Sequence, residues 1–287
     1  MQPLQLPGRL SVKFLSMKRI LLFTLVLFSL AAYSQKREKR NHRNFTRVSF
    51  GLPGKIHVKQ SATWSVEIQA DADALDRIET DVDGDKLIIR MKPTLTGRWS
   101  WDPDDDIEAW VSLPEIEGVS VNGSGDLIGE GRFKTGSMEV KVNGSGSAKI
   151  ELESSDLALG VAGSGTIRVT GKMSAVNASV SGSGAINLDG NISGTLDGNI
   201  SGSGKIVARG KAGSADLIIS GSGQVNGFDL TVDRCDARIS GSGDIEITAN
   251  TEIDASISGS GSVTYKGNPK HVNSHSSGSG KVRKAAE

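Results

Sequence analysis

The sequence holds one cysteine, Cys235, and four scattered histidines among 287 residues. A single thiol excludes an internal disulfide framework, a cysteine-rich zinc site and an iron–sulfur cluster. The histidines offer little for a metal site, and no cofactor is expected. No charge of either sign is in excess: 33 Lys and Arg balance 33 Asp and Glu. A nucleic-acid binder carries a basic surplus, so nucleic acid is not an expected partner. Proline is scarce at 7, and glycine does not fall at every third position, which excludes a collagen-like chain. No apolar run reaches the roughly 20 residues that a bilayer-spanning helix needs.

What is present begins with an address. Met17-Lys18-Arg19 precedes a short apolar run from Ile20 to Tyr33. A basic n-region followed by an h-region of this length reads as a signal peptide over residues 1–34, with Met17 the expected true start. Cleavage is expected after Ala32-Tyr33-Ser34, leaving Gln35 first and no transmembrane anchor; the alternative is an uncleaved anchor. No cysteine follows the run, so a lipoprotein anchor is not expected. The chain is therefore expected to be exported, to the periplasm or the cell surface. Residues 35–43 are basic and polar and read as a solvated linker.

Glycine, by contrast, is abundant: 36 residues, about 12.5%, against a typical ~7%. Much of it lies in one repeated tripeptide. Gly-Ser-Gly begins at Gly123, Gly144, Gly163, Gly182, Gly202, Gly221, Gly241, Gly259 and Gly278, at a mean period of about 19 residues. A flexible linker would not keep such a period. Two residues before each triplet stand Val121, Val142, Val161, Val180, Ile200, Ile219, Ile239 and Ile257, then Ser276. Two residues after it stand Leu127, Ala148, Ile167, Ile186, Ile206, Val225, Ile245, Val263 and Val282. Apolar residues of one parity around a fixed centre mark strands with one buried face. β-Branched side chains suit that pleated surface.

One such unit cannot bury its face alone, so successive units must stack. The expected fold is all-β: a right-handed parallel β-helix of about 19-residue coils over 119–284, with a short tail at 285–287. A large antiparallel meander is the competing architecture. The triplet itself is either an extended segment with both glycines inward or a tight corner with one glycine at positive φ. In both cases the serines face solvent: Ser124, Ser145, Ser164, Ser183, Ser203, Ser222, Ser242, Ser260 and Ser279 form a candidate surface ladder.

Residues 44–118 lack the triplet but alternate like strands, as in Lys55–Lys59 and Lys86–Met91, with a hairpin turn at Gly84-Asp85. They read as an N-terminal cap or irregular first coils, since a solenoid end must be covered. One loop there carries chemistry. Thr96 to Asp106 sets Trp99 and Trp101 beside Asp104, Asp105 and Asp106. Indoles with carboxylates suit stacking on a sugar ring; the alternative is an end plug with solvated acids. Catalytic constellations are missing. There is no G-x-S-x-G elbow, and His57, His271 and His275 have no triad or metal partners nearby in the sequence. Asp156, Asp216 and Asp236 read as turn residues, and Cys235 as a spectator in a turn.

The segments Val121-Asn-Gly-Ser-Gly-Asp-Leu127 and Ile239-Ser-Gly-Ser-Gly-Asp-Ile245 resemble a family of exported bacterial proteins found among Bacteroidetes, the auto-transporter adhesins with a head GIN domain. The resemblance spans about Asn44 to Lys284. It implies a β-helix similar to pectin-lyase-like folds without their catalytic residues, and a role in cell adhesion; no site residue carries over. No run of alternating strands long enough for a translocating barrel follows the last triplet, so self-transport is not expected. Three functions remain open: a non-enzymatic module contacting polysaccharide or other cell-surface components, a polysaccharide lyase or hydrolase, and a purely structural envelope protein.

Overall fold

The computed structural model describes residues 36–93 and 106–286. It is a parallel β-solenoid. The repeat region runs through β8 (Gly118–Gly123), β9 (Asp126–Gly144), β10 (Ser147–Gly163), β11 (Thr166–Gly182), β12 (Ala185–Ile192) and β13 (Thr195–Gly202). It continues through β14 (Lys205–Gly221), β15 (Gln224–Gly241), β16 (Asp244–Gly259), β17 (Ser262–Lys266), β18 (His271–Gly278) and β19 (Lys281–Lys284). Every pairing among these strands is parallel, which disposes of the antiparallel meander.

Stacking is in register, so like residues lie on like. Phe50, Val121, Val142, Val161, Val180, Ile200, Ile219, Ile239 and Ile257 form one unbroken column across successive coils. Ile56, Leu127, Ala148, Ile167, Ile186, Ile206, Val225, Ile245 and Val263 form a second. All are buried, in one hydrophobic core that contains no buried polar or charged side chain among the described residues. Each aliphatic side chain buried this way contributes roughly 1.5–3 kcal/mol. Between one triplet and the next the in–out alternation breaks twice, in β11 at Thr170-Gly171-Lys172 and at Ser174-Ala175. In that coil the triplet corner and these two breaks separate three runs.

The triplet is a corner, which settles the choice left open by the sequence. The first glycine takes positive φ, +114° at Gly182. The serine is exposed and the second glycine is buried. Corner stacks on corner: the N–H groups of Ser183 and Gly184 both donate to the Gly163 carbonyl at 2.9 Å. That closeness explains the second glycine. A Cβ on Gly184 would lie 2.4 Å from Val161 Cγ1 and 2.6 Å from the Gly165 carbonyl oxygen. Inward-facing backbone and a β-branched neighbour leave no room for a methyl group.

The N-terminal region contributes coils and their cover. Strands β2 (Arg47–Phe50) and β3 (Lys55–Gln60) pair in parallel with β8 and β9, so Gly51-Leu52-Pro53-Gly54 takes the corner where the next coil has Asn122-Gly123-Ser124-Gly125. Strands β6 (Lys86–Met91) and β7 (Glu108–Leu113) stack on the other side of β2 and β3. Over this last coil lie antiparallel strands: β5 (Ile78–Asp83) on β6, through the two-residue turn at Gly84-Asp85, and β4 (Ser65–Ala70) on β7. A short helix, α1 (Ala72–Arg77), links β4 to β5 and buries Ala74 and Leu75; the strand reading of this region did not anticipate it.

Two expectations are corrected. The basic segment read as a linker at 35–43 is largely strand β1 (Lys36–Arg40), paired antiparallel with β4. Arg37 and Lys39 reach Glu67 at 3.5 and 3.4 Å, and the Arg37 guanidinium lies 3.7 Å from the Trp110 ring centroid. Charged side chains on an edge strand also discourage pairing with a second molecule. Cys235 is not in a turn but in β15, fully buried between Ala215 and Ile253. The leader and the Trp99–Asp105 stretch lie outside the described residues.

Two tests follow from this packing. Gly184→Ala should destabilise the protein by about 1–3 kcal/mol, the usual cost of overpacking, whereas Ser183→Ala should change stability by less than about 0.5 kcal/mol. Denaturant midpoints of the two variants check the difference. Burial, reinforced by the Asp236 and Asp216 carboxylates, pushes the Cys235 thiol up to about 12. In native buffer it should therefore resist alkylation by iodoacetamide and react only as the chain unfolds; rapid labelling of the native protein would contradict this burial.

Candidate binding surfaces

In-register stacking turns every exposed position into a column. The first column runs along the Gly-Ser-Gly corner. Ser124, Ser145, Ser164, Ser183, Ser203, Ser222, Ser242, Ser260 and Ser279 are all exposed there, one per coil. Beside it Asn143 donates to Asn122 at 2.9 Å, and Ser147 and Ser262 donate to Asp126 and Asp244 at 2.5 and 2.6 Å. The edge is polar, uncharged at the serines and regular at the rung spacing of about 4.8 Å.

The Trp99, Trp101, Asp104 and Asp105 side chains fall outside the described residues; Asp106 is exposed. The ends of the loop are placed. Met91 ends β6 and Glu108 begins β7, and these strands stack on β2 and β3. The described strands on either side of it thus flank the position that Gly-Ser-Gly occupies in later coils.

A second column was missed in the sequence. Asn177, Asp197, Asp216, Asp236, Asp254 and Asn273 follow one another on adjacent rungs. Asp216 and Asp236 are strand residues in direct register, not turn residues, while Asp156, also in a strand, stands opposite Ala175, two positions before Ala158, which holds the column's place in that coil. Near-equal period was the available signal, but register irregularities of one or two residues blurred it. Partial burial first, then Asp236 and Asp197, raise the Asp216 carboxyl above its ordinary value. Arg234 lies 3.3 Å from Asp236. No group of three or more His, Cys, Asp or Glu side chains among the described residues is arranged to hold a metal ion.

A third cluster joins residues distant in sequence. His57 stacks on Trp110 with ring centroids 5.6 Å apart, and its Nδ1 lies 3.1 Å from Glu130. His57 has no partner visible near it in the sequence because Trp110 and Glu130 come from β7 and β9, either side of β3. The fourth surface is a groove of about 810 Å³ between the second and third bends of successive coils. Lys134, Lys172 and Lys211 line it, with Glu153 its one acid. The Asp column lies on a different run of the coil, so the acids and the groove do not converge.

The aspartate column makes a pH prediction. An acid whose folded-state pKa is raised holds its proton to higher pH when folded than when unfolded. Stability is then lost as pH rises through that interval and the deficit stays at neutral pH. Asp216→Asn should therefore stabilise the protein at pH 7 by about 0.2–1 kcal/mol, the size of a cross-strand pair term. The gain should vanish in acid, where the aspartate is already protonated. Urea melts of both proteins at the two pH values measure it.

Comparison with known proteins agrees with this architecture. No curated protein matches the chain. A crystal structure of a "Putative lipid binding protein" from Parabacteroides distasonis is similar at 24% identity and TM-score 0.69, over 88% of this chain and 98% of that one. A "putative adhesin" from Parabacteroides merdae is similar at 21% identity and TM-score 0.69, over 88% and 97%. A "putative adhesin" from Bacteroides fragilis follows at 20% identity and TM-score 0.52, over 88% and 98%. At these identities the likeness speaks for the fold. The family itself is not a known enzyme family, and its description implies export. The family profile matches residues 44–206 and 189–269, and the chain belongs to the family described as "Putative auto-transporter adhesin, head GIN domain".

Proposed function

We propose that this protein is a non-catalytic adhesion module, periplasmic or displayed at the cell surface, that contacts glycan or other envelope components along the flank of its solenoid. The observation that carries the reading is the in-register stacking itself. It presents one polar side chain per rung at each exposed position, as at the nine corner serines. A repetitive polar partner meets such a column at many points, and weak contacts sum through effective concentration. Family membership supports the adhesive role. A lyase or hydrolase would need acids converging on one groove, and Asp197, Asp216, Asp236 and Asp254 lie instead on an open run of strand.

The test is binding of purified Gln35–Glu287 to intact envelopes and to a panel of polysaccharides. Saturable binding is expected. Replacing Ser164, Ser183 and Ser203 with alanine should weaken it several-fold without lowering the melting temperature, because these hydroxyls are exposed. A Trp99→Ala/Trp101→Ala variant run in parallel reports on the Thr96–Asp106 segment; loss there alone would move the contact to that segment. Absence of binding to every surface would favour a purely structural envelope role.

A further inference from the structure

The groove holds an uncompensated charge pattern. Lys134, Glu153, Lys172, Asn191 and Lys211 are consecutive members of one column, so a lysine stands on every second rung. Rungs about 4.8 Å apart place these lysines roughly 10 Å from one another along the axis. Glu153 is already engaged by Arg132 at 3.1 Å and by Lys134 at 3.8 Å. Lys172 and Lys211 have no carboxylate within ion-pairing distance among the described residues. In a chain whose net charge is zero, this is a local concentration of free cations. Ser155, Ser174 and Ser193 line the groove beside them, together with Met173 and Ile192.

We propose that this groove seats a linear acidic polysaccharide with a carboxylate on alternate sugars, lying parallel to the solenoid axis. The inference rests on the adhesion reading above and names the ligand class and the place. An extended pyranose chain advances by close to one rung per sugar. Acids on alternate sugars then meet lysines on alternate rungs, and the intervening hydroxyls meet the serines. Ammonium–carboxylate contacts of this kind are charge-assisted and stronger than neutral hydrogen bonds. A nucleic acid fits poorly. Duplex DNA carries one charge per about 1.7 Å of axis, several times denser than the lysines, so most phosphates would go unpaired.

Hyaluronan, an alternating uronate polymer, is the probe, with its methyl ester as the uncharged counterpart and inorganic polyphosphate as a generic polyanion. The full mature chain should bind hyaluronan, more weakly as salt rises, and should ignore the ester. Lys172→Gln/Lys211→Gln should lose at least about tenfold in affinity, one decade being the scale of a single charged contact. Lys172→Arg/Lys211→Arg should retain binding. Lys149→Gln/Lys281→Gln, which removes the same charge from exposed positions outside the groove, should stay within about twofold of the parent on that scale. Melting curves establish that each variant is folded. Equal binding of the ester, equal loss in the Lys149/Lys281 control, or equally tight binding of polyphosphate would overturn the proposal. Envelope binding without hyaluronan binding would sink the groove assignment and leave the adhesion reading standing. Binding to neither would remove both.

Discussion

Parallel, in-register contact between like residues is the constraint on which the rest of the molecule depends. A β-branched side chain packs well against its own kind one rung away, and the valine–isoleucine columns extend that contact along the whole solenoid. The register must not slip, because a shift of one residue would expose every core side chain. The corners hold it. The Gly163 carbonyl accepts from both Ser183 and Gly184, and the pattern recurs where Gly144 receives Ser164 and Gly165. A side chain on the inner glycine would enter the valine column, as the 2.4 Å approach of Val161 to a Cβ on Gly184 shows. Gly-Ser-Gly repeats because the coil needs a sharp turn, a donor pair and an empty inner position at the same place.

That physical necessity is why so much of the fold was legible in the sequence. The parity of Val121, Val142 and Val161 against Leu127, Ala148 and Ile167 announced the buried face, and the period announced the stacking. The less legible parts are those where the repeat relaxes. Gly51-Leu52-Pro53-Gly54 serves as a corner without the triplet, in the coil next to the terminal one, so the motif that marks the other corners is missing there. Lys36–Arg40 looked like a tether because its strand is specified by Glu67 and Trp110 on other strands, not by its own alternation. Helix α1 has only Ala74 and Leu75 buried, too few apolar positions for a helical period to stand out.

Surface chemistry was harder to read for a related reason. A column is assembled from residues about one coil apart, and small irregularities move them out of phase in the sequence. The pairing of β14 with β15 shifts between Val207 and Gly210, and that of β15 with β16 shifts twice. Asp216 and Asp236 nonetheless meet because register is restored before the last run of each coil. The exposed serines at the corner escaped this difficulty: they sit inside the motif that sets the phase.

The two ends of the solenoid are treated differently, and the difference bears on how the flank can work. At the N-terminal end β4 and β5 run antiparallel over β7 and β6, with β1 outside them, so the core is closed by strands that do not continue the stack. At the other end β18 lies on β16 and is exposed throughout. There Ser274 and Ser276 replace Ala255 and Ile257 in the columns. A polar edge of this kind gives another chain hydrogen-bonding groups but almost no apolar surface on which to add a coil. End-to-end growth is thereby disfavoured while the long flank stays uncovered. The two described ends thus offer little apolar surface to a further coil, one because strands cover it and the other because its columns turn polar.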